Sequence, residues 1–266
     1  MKISLQKIPV LLALFLFMIP NAKAQEIALD STQIKLIKAL GPEKIQLLLE
    51  NMMNNGPVED REKLKQAIDM LKQEKPSVET VNLNSKIVKF VPIAHAGKKV
   101  FYDNLTTIIK EHQQMGYVVF YEQMKSVKAT TEVDTLRLKF RKIVPMEPTR
   151  KLYSILTLVY PDVIAQPEYE LLGITDNDVN ADISVADYIA QYEKLYGPIV
   201  LEQCDFDAKI GTPAKCKSLK NNLDAITIDY RNQNLADMVK KSKHRKILVI
   251  YGATHVPEMI ELLNKH

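Results

Sequence analysis

The chain has 266 residues, 46% of them hydrophobic and 26% charged, enough for one large domain or a domain with an appendage. Its 36 Lys and Arg outnumber its 32 Asp and Glu by four, and they are scattered along the sequence. Nucleic-acid binding needs a focused basic surface, so that class is excluded.

The first 24 residues read as a secretory signal peptide. Lys2 and Lys7 supply a positive start, residues 8–18 are apolar but too short to span a bilayer, and Ala22-Lys23-Ala24 precedes Gln25 as a small-x-small cleavage site. The segment carries Lys2, Lys7 and Lys23 and no acid, so the mature chain has 33 basic and 32 acidic residues, a net charge of +1. Export to the periplasm or the medium is expected, with no transmembrane anchor after cleavage.

Residues 25–84 are expected to form a helical N-terminal segment. Ser31 can cap a run holding Ile34, Leu36, Ile37 and Leu40, stopped by Gly41-Pro42. Ile45, Leu47, Leu48, Leu49 and Met52 mark a second helix that ends near Asn55-Gly56-Pro57. Leu64, Ala67, Ile68 and Leu71 mark a third at helical spacing. Such a stretch serves as a packing or lid element.

From Ser85 to His266 the texture alternates. The patterns predict strands over 86–94, 117–121 and 247–251. They predict helices over 98–115, 134–143, 149–159, 184–196, 224–242 and 257–265, the first closed by Gly116. Strands separated by helical crossovers give an α/β domain: a mostly parallel or mixed sheet flanked by helices. The dense basic run Lys240-Lys241 with Lys243, His244, Arg245 and Lys246 lies between a helix and a strand and reads as a solvated turn. Cys204 and Cys216 flank a short stretch containing Gly211 and Pro213, with no histidine nearby, so a local disulfide is expected rather than a metal or catalytic pair.

Chemistry concentrates at the strand ends. The run Val88-Lys89-Phe90-Val91-Pro92-Ile93-Ala94 delivers His95. Tyr117-Val118-Val119-Phe120-Tyr121 delivers Glu122. Ile247-Leu248-Val249-Ile250-Tyr251 runs into Gly252-Ala253-Thr254-His255. If the strands are parallel neighbours, all three side chains reach one crevice at the C-terminal edge of the sheet. Two imidazoles and a carboxylate suit a divalent transition ion with open positions for water. The same set can work without metal, a histidine acting as base and the glutamate orienting it.

These residues resemble the TraB/PrgY/GumN family, which includes the TIKI proteins and is related in fold to erythromycin esterase and ChaN-like proteins. Gly252-Ala253-Thr254-His255 matches the second Gly-x-x-His motif of that family, and Glu122 matches its glutamate. Arg231-Asn232 matches its arginine dipeptide, and Asn180-Ala181-Asp182 is similar to its mid-domain aspartate motif. The first histidine motif departs: Pro92-Ile93-Ala94-His95 has proline where the family has glycine. The resemblance spans about 85–264. It implies an exported hydrolase of peptidase or esterase type, acting on a peptide or small molecule, with or without a divalent metal of unstated identity. His95, Glu122, Arg231 and His255 would be catalytic, with His95, Glu122 and His255 as ligands to any metal. Arg231 would stabilise an oxyanion or hold a substrate carboxylate. The alternative is a binding protein that keeps the pocket without turnover, and Pro92 favours it. His255, as a loop residue, is expected to carry few packing contacts.

Overall fold

The computed structural model describes residues 39–55, 58–124, 131–144, 156–158, 160–207, 216–219 and 221–265. The signal segment and the first helix around Ser31 lie outside them, apart from Ala39 and Leu40. Most of the helix expected over 149–159 does too; a single 3-10 turn, Leu156–Leu158, is described there.

The sheet is organised by its last strand. Ile247, Leu248, Val249, Ile250 and Tyr251 are all 0% exposed, the continuous apolar signature of a parallel strand covered on both faces. In chain order the strands of this sheet are β1 (Glu79–Leu83), β2 (Lys86–Ile93), β4 (Val118–Tyr121), β6 (Val179–Asn180) and β7 (Lys246–Gly252), arranged β1-β2-β7-β4-β6. A separate two-stranded sheet pairs β3 (Ala96–Lys98) antiparallel with β5 (Val163–Ala165). β7 runs parallel to β2 and β4, and β4 runs parallel to β6, so the three long expected strands are neighbours with their C-terminal ends on one edge.

β1 differs from expectation. Residues 79–83 were read with the helical segment, yet they pair antiparallel with β2. Polar Thr80 and Asn82 dilute the apolar signal of this edge strand, and Asn84 at φ 48 makes the tight turn that reverses the chain. β3, β5 and β6 are two or three residues long and leave no periodicity to read.

The sheet's side chains alternate between two helical layers. On one face Phe90, Phe120, Ile247, Val249 and Tyr251 pack with α7 (Arg231–Lys241) and α8 (Val256–Asn264) through Leu235, Ala236, Val239, Met259 and Leu263. On the other, Val91, Ile93, Val119, Leu248 and Ile250 pack on α3 (Lys99–Gln114) through Phe101, Tyr102, Leu105 and Ile109. Gly116 follows α3 at φ 82, the left-handed value a closing glycine supplies. The fold is therefore α/β, with a mixed sheet flanked by helices, as the alternating texture indicated.

A third cluster joins α4 (Thr131–Ile143) to α5 (Val185–Tyr196) through Phe140, Ile143, Tyr188, Ile189 and Tyr192. Ser184 opens α5 with a capping box: its hydroxyl accepts from the Asp187 amide at 3.1 Å, and the Asp187 carboxylate accepts from the Ser184 amide at 3.0 Å. α6 (Gln203–Asp207) is held by the expected disulfide, Cys204–Cys216, with Cα atoms 5.5 Å apart. The N-terminal helices α1 (Pro42–Asn55) and α2 (Val58–Lys72) precede the sheet, and Leu64, Ala67, Ile68 and Leu71 of α2 are buried. Among the described residues, no helix is long and apolar enough to cross a membrane.

Candidate functional site

Strand alternation aims Glu122 to one face of the sheet. Phe120 faces α7 and α8, so Glu122, two residues on, follows it, and Tyr251 on β7 faces the same way. Arg231 reaches this point from α7. The turn before it is a π-helix, Ala225–Tyr230, where a simple helix over 224–242 was expected. Such wide turns arise where a side chain must be re-aimed, often at functional sites.

Arg231 is the hub. Its Nη2 donates to Glu122 Oε1 at 2.6 Å and to Asp182 Oδ2 at 2.8 Å, and its Nε donates to Asp182 Oδ1 at 2.8 Å. The guanidinium also lies 5.7 Å from the Tyr251 ring centre, and the Tyr251 hydroxyl donates to Asp182 Oδ1 at 3.2 Å. All four residues are buried. A cation between two carboxylates repays part of the large desolvation cost of each.

Glu122 is held from every side. The Gly252 amide donates to its Oε2 at 2.5 Å, its own amide donates to Ile250 O at 3.2 Å, and the Tyr169 hydroxyl donates to its carbonyl. Burial alone would raise its pKa, but Arg231, His255, His95 and the Gly252 amide outweigh burial and hold the carboxyl at about 2.

His255 closes the β7–α8 turn, with its amide donating to Gly252 O at 2.9 Å. Its ring meets the Tyr251 ring edge-on at 5.1 Å. Nε2 lies 3.4 Å from Arg231 Nη1 and 3.9 Å from Glu122 Oε1, while Nδ1 lies 2.7 Å from Asn232 Oδ1. Burial pushes this imidazole down; Glu122 pulls it up and Arg231 pushes it down again, leaving it at about 4. At neutral pH the ring is uncharged, so the short approach to Glu122 joins a base to an anion and is not an ion pair. The expectation of few packing contacts is corrected: at 3% exposure His255 is part of the core.

His95 follows β2 at the same edge of the sheet. Val91 and Ile93 face α3, and His95, two residues further, is exposed and has Nδ1 3.3 Å from Gln166 Oε1 just past β5. Its imidazole bears electrostatically on both Glu122 and His255. Pro92 is accommodated because β1 ends its pairing with β2 at Phe90, so β7 alone borders the strand there.

A divalent ion shared by His95, Glu122 and His255 does not fit this arrangement. Among the described residues the one trio with ligand atoms mutually within 4.8 Å is Glu202, Cys204 and Cys216, whose sulfurs are joined to each other. Both Glu122 oxygens already accept hydrogen bonds, and Arg231 supplies positive charge between Glu122 and His255.

Sequence reading placed His95, Glu122, Arg231 and His255 in one crevice; the structure bonds Glu122 and His255 to Arg231 and leaves His95 exposed at the same sheet edge. It gave little weight to Asp182, although Asp182 stands two residues past the short strand β6. It assigned no role to Asn232, Tyr169, Tyr251 or Glu258. Asn232 adjoins Arg231, and Glu258 stands one helical turn after His255, so spacing alone could have raised both. No family model, curated protein or solved structure matches the chain.

Proposed function

We propose that the crevice is a hydrolytic site for a carbonyl substrate, a peptide or an ester, in an exported protein of the TraB/GumN type. The observation that carries this reading is a neutral, buried imidazole, His255, beside both an anion and a cation: Glu122 at 3.9 Å and Arg231 at 3.4 Å. In this scheme a water at the crevice loses a proton to His255 and attacks the carbonyl carbon. Glu122 stabilises the imidazolium that forms. Arg231 has Nε and Nη2 committed to Asp182 and Glu122, so Nη1, whose one hydrogen faces His255 Nε2 at 3.4 Å, has its second hydrogen for the developing oxyanion. The imidazolium then returns the proton to the leaving amine or alcohol as the bond to it breaks. His95, exposed at the margin, contacts the substrate. Export is supported by the signal-like segment 1–24 and by the disulfide.

A second reading has its own support. Glu122 and Arg231 satisfy each other and the surrounding backbone, which suits a protein that binds a ligand without turning it over. The two readings part on one experiment. Mature protein is incubated with peptide and ester panels, with and without a chelator, beside His255→Gln. Turnover that survives the chelator and disappears in the variant is the expected result. Turnover equal in both proteins would overturn the hydrolytic role of His255, and saturable binding without turnover would favour the second reading.

A further inference from the structure

The crevice contains a chain of side chains running away from the reacting edge. Glu258, in the first turn of α8, accepts from Asn232 Nδ2 at 2.7 Å. Asn232, 0% exposed on α7, presents Oδ1 to His255 Nδ1 at 2.7 Å. The far side of the ring, Nε2, faces Arg231 Nη1.

The chemistry of the two ends decides where the single proton of the neutral ring sits. An ionised carboxylate only accepts, so Glu258 takes the amide NH2 of Asn232 and leaves the amide oxygen for His255. That oxygen also only accepts, so Nδ1 is the nitrogen that carries hydrogen. A guanidinium only donates, so Nε2 offers its lone pair toward Arg231. A flipped Asn232 would set its amide oxygen against the Glu258 carboxylate and its NH2 against Nδ1, and the ring proton, moved to Nε2, would meet the Arg231 N–H groups head-on.

We infer that Asn232 and Glu258 are positioning residues that hold His255 in its Nδ1-protonated form and so keep hydrogen off Nε2, the basic nitrogen on the Arg231 side of the ring. The inference rests on the hydrolytic reading for its use, though not for its geometry. A ring nitrogen fixed by a hydrogen bond on its other side is a recurring device for imidazole bases and ligands. Here the amide relays the constraint, and a carboxylate outside the reacting group sets the amide.

The test is nitrogen NMR of protein labelled at histidine, at neutral pH, which distinguishes protonated from unprotonated ring nitrogens. Wild-type His255 is expected to show hydrogen on Nδ1 and a bare Nε2. Asn232→Leu is expected to give a mixture of the two forms. The double variant Asn232→Asp, Glu258→Gln, in which the new carboxylate accepts from both Nδ1 and the glutamine amide, is expected to restore the single form. Glu258→Gln, at a half-buried surface position, gives a variant that keeps the core intact and is expected to weaken the preference. Hydrogen on Nε2 in the wild type, or an unchanged single form in Asn232→Leu, would overturn the inference. Absence of turnover on every substrate would remove the hydrolytic reading while leaving this result readable by itself. Where turnover is found, kcat should fall at least tenfold in Asn232→Leu with KM little changed.

Discussion

The Gly252 amide and the Glu122 carboxylate meet across two neighbouring parallel strands, with the donor on β7 and the acceptor just past β4. A Cβ added at Gly252 would stand 3.0 Å from Glu122 Oε2 and 3.3 Å from His255 Cδ2. The glycine of the strand-end motif is thus a matter of close approach. Gly252→Ala should cost about 1–3 kcal/mol in urea denaturation, because Glu122 is too tightly bonded to give way. A stability equal to wild type would show that the carboxylate can shift.

Arg231 is expected to be the most costly single position in the crevice. Arg231→Met leaves two buried carboxylates without a cation, a loss of about 3–5 kcal/mol. Arg231→Lys restores charge without the planar fork that serves Asp182 and Glu122 together, so its stability should lie between the two. Denaturation midpoints ranked Arg, Lys, Met are expected. A lysine variant as stable as wild type would mean the fork geometry contributes nothing.

Acid should weaken the fold in two stages. The folded His255 sits at about 4 against an ordinary 6.5, so the unfolded chain takes up that proton first as pH falls. Its contribution is complete above about pH 6.5 and is lost progressively down to about 4. Glu122, at about 2 against an ordinary 4.5, contributes fully above about 4.5 and loses that contribution toward 2. Midpoints measured from pH 7 to 4 should fall in the wild type and flatten in His255→Gln. A flat wild-type profile over that range would contradict the burial of a neutral ring.

The disulfide should matter beyond loop closure. Closing a loop of this length is worth about 2–3 kcal/mol. Cys204 also shares α6 with Asp205, which is 2% exposed and pairs with buried Lys142 at 2.7 Å. The double variant Cys204→Ser, Cys216→Ser should lose at least that amount and broaden the NMR signals around Lys142. Thiol labelling of denatured, unreduced protein should find no free cysteine.

Much of the fold was legible because its central strands are long and apolar on both faces. Ile247 to Tyr251 could hardly be anything else, and a parallel sheet then forces the strand ends to one edge. Glu122 and His255 follow from that edge. Glu79–Leu83 was not legible, since this edge strand is mostly uncovered and mixed in polarity. Neither was the exposure of His95 beside a buried Glu122: both follow strands, and how deeply each is covered depends on the loops beyond. The roles of Asn232 and Glu258 needed the crossing of α7 over α8, which no local spacing encodes.

The widened turn at Ala225–Tyr230 sets the rotational phase of everything after it. Each residue advances an α-helix by about 100°. Deleting one residue from that turn would leave α7 the same length and composition, yet swing Arg231 and Asn232 away from the sheet edge. Sequences of this kind should therefore tolerate substitution within 225–230 more readily than a change in its length, and an alignment gap there would mark a protein whose crevice has been rewired.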